Sequence, residues 1–388
     1  MDSFLMFAAA LAAILWGGFV LLPWRPWLNR EVVDATEAGD HERMLGDITV
    51  LIPARNEAAV IQQTLLAVIQ QGPGIRVILI DDGSEDGTLE KAGEINGANV
   101  QTIRSLPLPA GWSGKLWALE QGRRLVSTRY TLLLDADIWL KRDTVKALKA
   151  RMHQEGVSFI SLMAVPSMLS NWEKLLMPAF VYFFKVLYPF GRVNSHPKKV
   201  AAAAGGCILL ENSLLHEIGG FESIRAAVID DCALARRVKS HGARIWLGLT
   251  HSAISARRSG SLKAIWDMVA RTAFVQLHCS VTLLILCTVV IGLAFGLPTV
   301  MMASSHALLS YLALSSILIM MLTYVPMLRF YGRSWAWALC LPLIAGLFLA
   351  MTWTSAIRYW RGERTRWKGR IYPRMRPNVE VSQKTSCG

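Results

Sequence analysis

Three acidic pairs stand where a strand pattern ends or a helix pattern begins. Asp135-Ala136-Asp137 closes the apolar run Tyr130–Leu134. Two carboxylates so spaced on extended chain suit a hard cation such as Mg2+ or Mn2+, which takes one or two carboxylates and completes its shell with phosphate oxygens and water. A bare D-x-D recurs by chance in surface loops, so its position must supply the weight. Asp81-Asp82-Gly83-Ser84 closes the run Arg76–Ile80. A carboxylate there can accept the imide N–H of a pyrimidine base, while the stretch from Asp82 to Thr88 equally fits turn and helix-start chemistry. Asp230-Asp231 opens a helical stretch through Arg237. It offers a general base for a hydroxyl or a charge complementing the helix dipole.

The elements around these pairs give them a common geometry. Short apolar runs at 48–53, 76–80, 100–103 and 130–134 alternate with helical patterns ending at Gln70 and covering 88–96 and 115–125. Strands apolar on both faces and separated by helices predict an α/β fold with a parallel sheet. Ligands of such sheets bind at the carboxyl ends of strands, where two of the three pairs fall.

The rest of the chain is of another kind. Hydrophobic residues make up 53% of it, with 14 Trp, and residues 3–24, 272–328 and 334–357 carry no Asp, Glu, Lys or Arg. A crossing helix needs about 20 apolar residues, so these runs fit one N-terminal and two to three C-terminal membrane helices, with a turn near Pro298–His306. The first run lacks a basic n-region and a small-x-small cleavage site, which favours an uncleaved anchor. Arg25, Arg30 and Arg43 just after it place the following domain in the cytosol. The expected order is an anchor at 1–24, a linker at 25–46, a catalytic domain at 47–265, a membrane block at 266–357 and a basic tail at 358–388. Leu175–Phe184 is too short to cross and is expected in the interface or within the fold.

The net charge of +13 points to a membrane surface rather than nucleic acid. Eight basic residues lie between Arg358 and Arg376 beside one acid, Glu363, a juxtamembrane cluster suited to anionic lipid. One span before the domain and three after it would put this tail outside, against the positive-inside rule. One C-terminal segment is therefore expected to be re-entrant or non-crossing. The six cysteines, at 207, 232, 279, 287, 340 and 387, show no metal-ligand or disulfide spacing.

Seven pieces in order resemble the family 2 glycosyltransferases of GT-A fold: Val50 to Glu57 (VLIPARNE), Ile80 to Thr88 (IDDGSEDGT), Gly114 to Leu119 (GKLWAL), Leu134 to Asp137, Gly205-Gly206-Cys207, Gly219-Gly220-Phe221 and Asp230 to Arg236. The order of elements is similar to the ceramide glucosyltransferase-like branch, and within it to bacterial hopanoid-biosynthesis-associated glycosyltransferases. The resemblance implies a nucleotide-diphospho-sugar donor, UDP-linked, a lipid acceptor and an inner-membrane, multi-pass location. It assigns Asp82 to the base and Asp135 to the ribose side, with Pro53, Arg55, Glu57 and Lys115 also on the donor. Asp137 becomes the ligand of Mg2+ or Mn2+, and Asp231, with Asp230 beside it, the catalytic base. Gly205, Gly206 and Arg271 fall on the acceptor side. Arg271 stands in Met268–Phe274 without the Trp of the branch's usual element, which argues for a single transfer rather than polymer synthesis. The rival reading is a catalytically silent membrane protein binding lipid or a partner on the same scaffold. A dinucleotide-binding oxidoreductase is disfavoured, because Ala54-Arg55-Asn56-Glu57 stands where G-x-G-x-x-G would be needed.

Overall fold

The computed structural model describes residues 2–35, 44–95, 99–195, 200–367 and 370–373. Arg43, Cys387, Lys368, Gly369 and the tail beyond Pro373 lie outside them. The chain opens with helix α1 (Asp2–Leu21). Strands β1 (Ile48–Ala54), β2 (Arg76–Asp81), β3 (Val100–Arg104) and β4 (Tyr130–Leu134) then pair in parallel in the order β3-β2-β1-β4. Helices α2 (Ile61–Ile69), α3 (Thr88–Gly93) and α4 (Gly114–Arg123) connect them. Every residue of β1 and β4 is buried, as their unbroken apolar sequences require. The edge strand β3 mixes polar with apolar residues and is the least buried of the four.

Beyond β4 the sheet departs from the expected parallel arrangement. Strands β5 (Ile138–Leu140), β6 (Phe159–Val165), β7 (Cys207–Glu211) and β8 (Ile245–Ser255) extend it to eight strands ordered β3-β2-β1-β4-β7-β6-β8-β5. β7 runs antiparallel to β4 and β6, β5 runs antiparallel to β8, and only β6 and β8 pair in parallel. The sheet is therefore mixed. Asp135-Ala136-Asp137 is the corner where the chain leaves β4 and re-enters the sheet at its far edge as β5. Helices α5 (Thr144–Glu155), α6 (Asn171–Leu187), α7 (Phe190–Val193), α8 (Asn212–Glu217) and α9 (Asp230–His241) join these strands.

The C-terminal part comprises α10 (Leu262–Ala270), α11 (Ala273–Gln276), α12 (Val281–Ile291), α13 (Leu297–Met301), α14 (Ala307–Phe330) and α15 (Leu341–Trp360), followed by the hairpin β9 (Glu363–Trp367) and β10 (Arg370–Pro373). Four segments are long and apolar enough to cross a membrane: Ser3–Leu21, Val281–Met301, Ala307–Phe330 and Trp335–Trp360. The long apolar run thus divides near the expected turn, and each C-terminal segment has crossing length.

A π-turn at Gly292–Gly296 separates α12 from α13. The Trp16 indole N–H donates to the Ala294 carbonyl within it at 2.8 Å, so α1 packs into the C-terminal block. Helix α6 lies within the fold: the Tyr182 hydroxyl is 3.1 Å from Thr323 Oγ1, and its ring packs edge-on to Tyr324. One continuous apolar core joins Leu51, Ile78 and Leu133 of the sheet to Met320, Tyr324 and Ile344 of the membrane helices. The sheet and the C-terminal helices thus share one core.

Candidate active site

The strand ends are tied to one another before any ligand is considered. Asn56, at φ +52, donates its N–H to Ser84 Oγ at 2.9 Å and accepts from the Glu85 N–H at 2.9 Å. The Glu57 N–H donates to Thr88 Oγ1 at 2.9 Å. Asp81 accepts from the Ser84 N–H at 3.1 Å. Turn and helix-start chemistry therefore accounts for Asp81, Ser84 and Thr88. Asp82 is buried as Asp81 is, but Arg55 lies across it, donating to its carbonyl with NH1 3.9 Å from the carboxylate. The Arg55 Nε is buried with no hydrogen-bond partner among the described residues. Asp82 and Arg55 sit apart from the remaining acidic groups and do not line the main cleft.

That cleft, about 130 Å³, is lined by Pro53, Glu57, Lys115, Asp135, Asp137 and Asp230, with Arg257 and Arg271 at its margin. Lys115 is its hub. Its ammonium lies 2.8 Å from Asp135 Oδ1 and 3.2 Å from Asp230 Oδ2, linking the end of β4 to the start of α9. Lys115 occupies the first turn of α4, capped by Ser113, where a cation opposes the helix dipole. Its carboxylate partners supply the compensation. Burial works against its charge, yet Asp135 and Asp230 outweigh burial and raise its pKa.

The three aspartates around Lys115 are shifted in different directions. Burial raises Asp135 above the usual range despite its pairing with Lys115, and the Asp137 charge adds to the shift. For Asp230, Lys115 more than offsets burial, and its pKa is lowered. Asp231, one residue on, is pushed up to about 6 by burial first and then by the Asp230 charge. Its Oδ1 accepts from the Cys232 N–H at 2.6 Å, and the Gly205 N–H also donates to the carboxylate. A Cβ on Gly205 would stand 3.1 Å from Asp231 Oδ2, so the glycine is what lets this carboxylate lie against the chain. Gly206 accepts from the Asp135 N–H at 3.1 Å, and a Cβ there would meet Ile138 at 3.2 Å. The glycine pair thus fixes the relative position of β4 and α9.

Arg257, which sequence reasoning passed over, closes the cleft. Its Nε lies 2.8 Å from Asp137 Oδ2, and its NH2 3.5 Å from Glu57 Oε1. The loop carrying it is anchored by Glu173, a residue also missed. Glu173 Oε2 accepts from the Leu169 and Ser170 N–H groups at 3.0 and 2.8 Å, and its Oε1 from Ser259 and Gly260 at 2.8 and 3.3 Å. Burial opposes its charge, but these donors prevail and hold its pKa down at about 2. The signal available in sequence was only a pair of arginines in the Ser/Gly stretch Ser255–Gly260.

Asp137 is buried and lines the cleft, and its oxygens are of the hard type Mg2+ and Mn2+ prefer; Arg257 holds one of them, Oδ2, and a cation there would have to replace that contact. No cluster of three or more His, Cys, Asp or Glu side chains suited to a metal occurs among the described residues, so donor phosphates would have to complete the shell.

Residues 49–219 match the profile of Glycosyl transferase family 2. A 110-residue stretch is 33% identical to the 4,4'-diaponeurosporenoate glycosyltransferase of Staphylococcus aureus, covering 28% of this chain and 29% of that enzyme. The chain thus matches less than a third of that relative's length. The fold is similar to that of the mannosyltransferase PcManGT of Pyrobaculum calidifontis, solved with GDP-Man and Mn2+. That likeness covers 92% of this chain and all of the other at 18% identity, with a TM-score of 0.57. The fold is thus of the GT-A type, and residues 49–219 resemble family 2 over less than half of the chain.

Proposed function

We propose, from that family 2 resemblance and the charged cleft, that the protein is a membrane glycosyltransferase. It moves one sugar with inversion from a nucleotide-diphospho-sugar, UDP-linked in this reading, to a lipid hydroxyl. The observation that carries the proposal is Lys115 bridging Asp135 and Asp230, because it joins the donor side of the site to the helix that bears a base. On the donor side, Asp82 with Arg55 takes the nucleobase end. Asp135 and Lys115 take the ribose and diphosphate side, flanked by Pro53 and Glu57. When bound, Mg2+ or Mn2+ on Asp137 would neutralise charge building on the leaving diphosphate.

The acceptor hydroxyl attacks the anomeric carbon as the bond to the diphosphate oxygen breaks, and that oxygen keeps the electron pair. Asp231 takes the hydroxyl proton. With a pKa of about 6, it is ionised at neutral pH yet basic enough to accept a proton in the transition state. Asp230, neutralised by Lys115, is the positioning partner, which separates the roles of the two adjacent carboxylates. Gly205, which seats Asp231, and Gly206 stand on the acceptor side, and Arg271 borders its approach.

The shared core of sheet and membrane helices supports an acceptor that stays in lipid while its polar end enters the cleft. A relative acting on 4,4'-diaponeurosporenoate supports a single acceptor rather than a growing polysaccharide. Within this reading the sheet domain is cytosolic at the inner membrane, and a hopanoid is a candidate acceptor. The test uses full-length protein in nanodiscs with UDP- and GDP-sugars, Mn2+ and a bacterial lipid extract, followed by lipid mass spectrometry. A new glycolipid that disappears in Asp137→Ala and Asp231→Asn supports it. No nucleotide binding, or activity unchanged in both variants, would sink it.

A further inference from the structure

A second cavity, about 440 Å³, adjoins the first and shares Arg257 and Arg271 with it. Its charged lining is Arg257, Arg258, Lys263, Arg271 and Arg358 against a single carboxylate, Asp267. That carboxylate is divided between Arg358 at 2.6 Å and Lys263 at 3.2 Å. Among the described residues neither Arg258 nor Arg271 makes an ion pair, and the Arg271 guanidinium is largely withdrawn from water. Burial and then the neighbouring Arg257 lower its pKa. Arg257, Arg258 and Lys263 are exposed at the rim, and an anion entering beside the more withdrawn Arg271 would offset the excess of positive charge there.

The opposite wall is apolar. Phe274, Val275 and Tyr359 line it, Phe274 packs edge-on to Tyr359, and the Phe274 N–H donates to Ser355 Oγ of α15 at 3.0 Å. Helix α15 belongs to a segment of membrane-crossing length. The cavity is therefore amphipathic, with a cationic rim towards the donor cleft and an apolar side towards the membrane helices. The donor diphosphate could engage Arg257 and Arg271, which border both cavities. It does not account for Arg258, Lys263 and Arg358, which line the second cavity and not the first.

We propose that this cavity is the acceptor site and takes a lipid whose polar end carries a phosphate or carboxylate beside the accepting oxygen. The proposal rests on the transferase reading above and sharpens it to a substrate class. Arg258, Lys263 and Arg358 hold the anion, Arg271 stands at the passage to the donor cleft, and the apolar wall carries the chain.

The test measures saturable binding of radiolabelled dodecyl phosphate to full-length protein in phosphatidylcholine nanodiscs, with empty nanodiscs subtracted. Dodecanoate should displace it, and dodecanol and inorganic phosphate at equal concentration should not. Arg258→Gln with Lys263→Gln should weaken binding by about tenfold or more, the loss expected for charge-assisted hydrogen bonds. UDP binding by calorimetry should stay unchanged in the same variant, which also shows that it folds. Equal displacement by dodecanol or by inorganic phosphate overturns the proposal, as does full affinity in the double variant. Wild-type protein that binds UDP but no dodecyl phosphate loses only the acceptor assignment. Protein that binds no UDP loses the transferase reading as well.

Discussion

The two halves of the sheet hold their charged groups by different means. On the parallel half, Asp135 ends a fully buried strand and its partner Lys115 sits on a capped helix packed against β1 and β2. Both are fixed by elements close in sequence. On the mixed half, Asp231 depends on a glycine from the turn before β7, and Arg257 on a loop held by a glutamate from α6. Those placements exist only when distant segments have assembled. On the function proposed, the first half holds the donor and the second carries the base and the acceptor side.

Substitutions that separate chemistry from scaffolding should sharpen this contrast. Asp231→Asn should lower kcat by about 10²–10⁴-fold, the usual worth of a positioned base, with UDP binding retained in calorimetry. Its folded-state pKa of about 6 lies above the ordinary 3.8, so the charged side chain costs stability once pH rises through 6. The same variant should therefore raise Tm at pH 7.5 while abolishing turnover; a lowered Tm there would contradict the burial argument. In the wild type, kcat should fall below about pH 6 as Asp231 takes up a proton.

Breaking the donor half should look different. Asp137→Asn should cost about 10²–10³-fold in kcat, by analogy with the loss of one electrostatic group at a transition state, and should alter the dependence on Mn2+ concentration. Gly205→Ala, whose new Cβ meets Asp231 Oδ2 at 3.1 Å, should slow turnover with little change in the KM for donor. If the donor KM moves instead, the division between the halves fails.

The smallest effect is expected at the anchor of the Arg257 loop. Glu173→Gln should destabilise by about 2 kcal/mol, the scale of hydrogen bonds to a charged acceptor, measured by chemical denaturation. Because the Glu173 pKa is lowered from 4.5 to about 2, its contribution is complete above pH 4.5 and lost as pH falls towards 2. The difference between variant and wild type should shrink over that interval.

The parallel half was legible because β1, β2 and β4 are largely continuous apolar runs, β2 and β4 end in acidic pairs, and helix periodicity separates one from the next. The antiparallel strands were not. β5 is three residues long, and β7 follows a run of alanines and glycines that carries no strand signal of its own. The candidate site divides the same way. Asp135 and Asp137 could be found from local pattern, Asp230 and Asp231 as an acidic pair whose role came from resemblance, and Lys115 from resemblance alone. Arg257 and Glu173 could not, because their meeting depends on β8 pairing with β5 and on a loop reaching α6. Sequence also placed Asp82 with the other aspartates, and its pairing with Arg55 was not legible there.

The bond from the Trp16 indole to the Ala294 carbonyl spans 278 positions. During synthesis α1 emerges first, and its partner in the π-turn emerges only after the whole sheet domain has been made. The first helix therefore lacks this partner until Ala294 has been made. A chain stopped before Gly292 would retain the first helix and the complete sheet without the contact that draws them into one body.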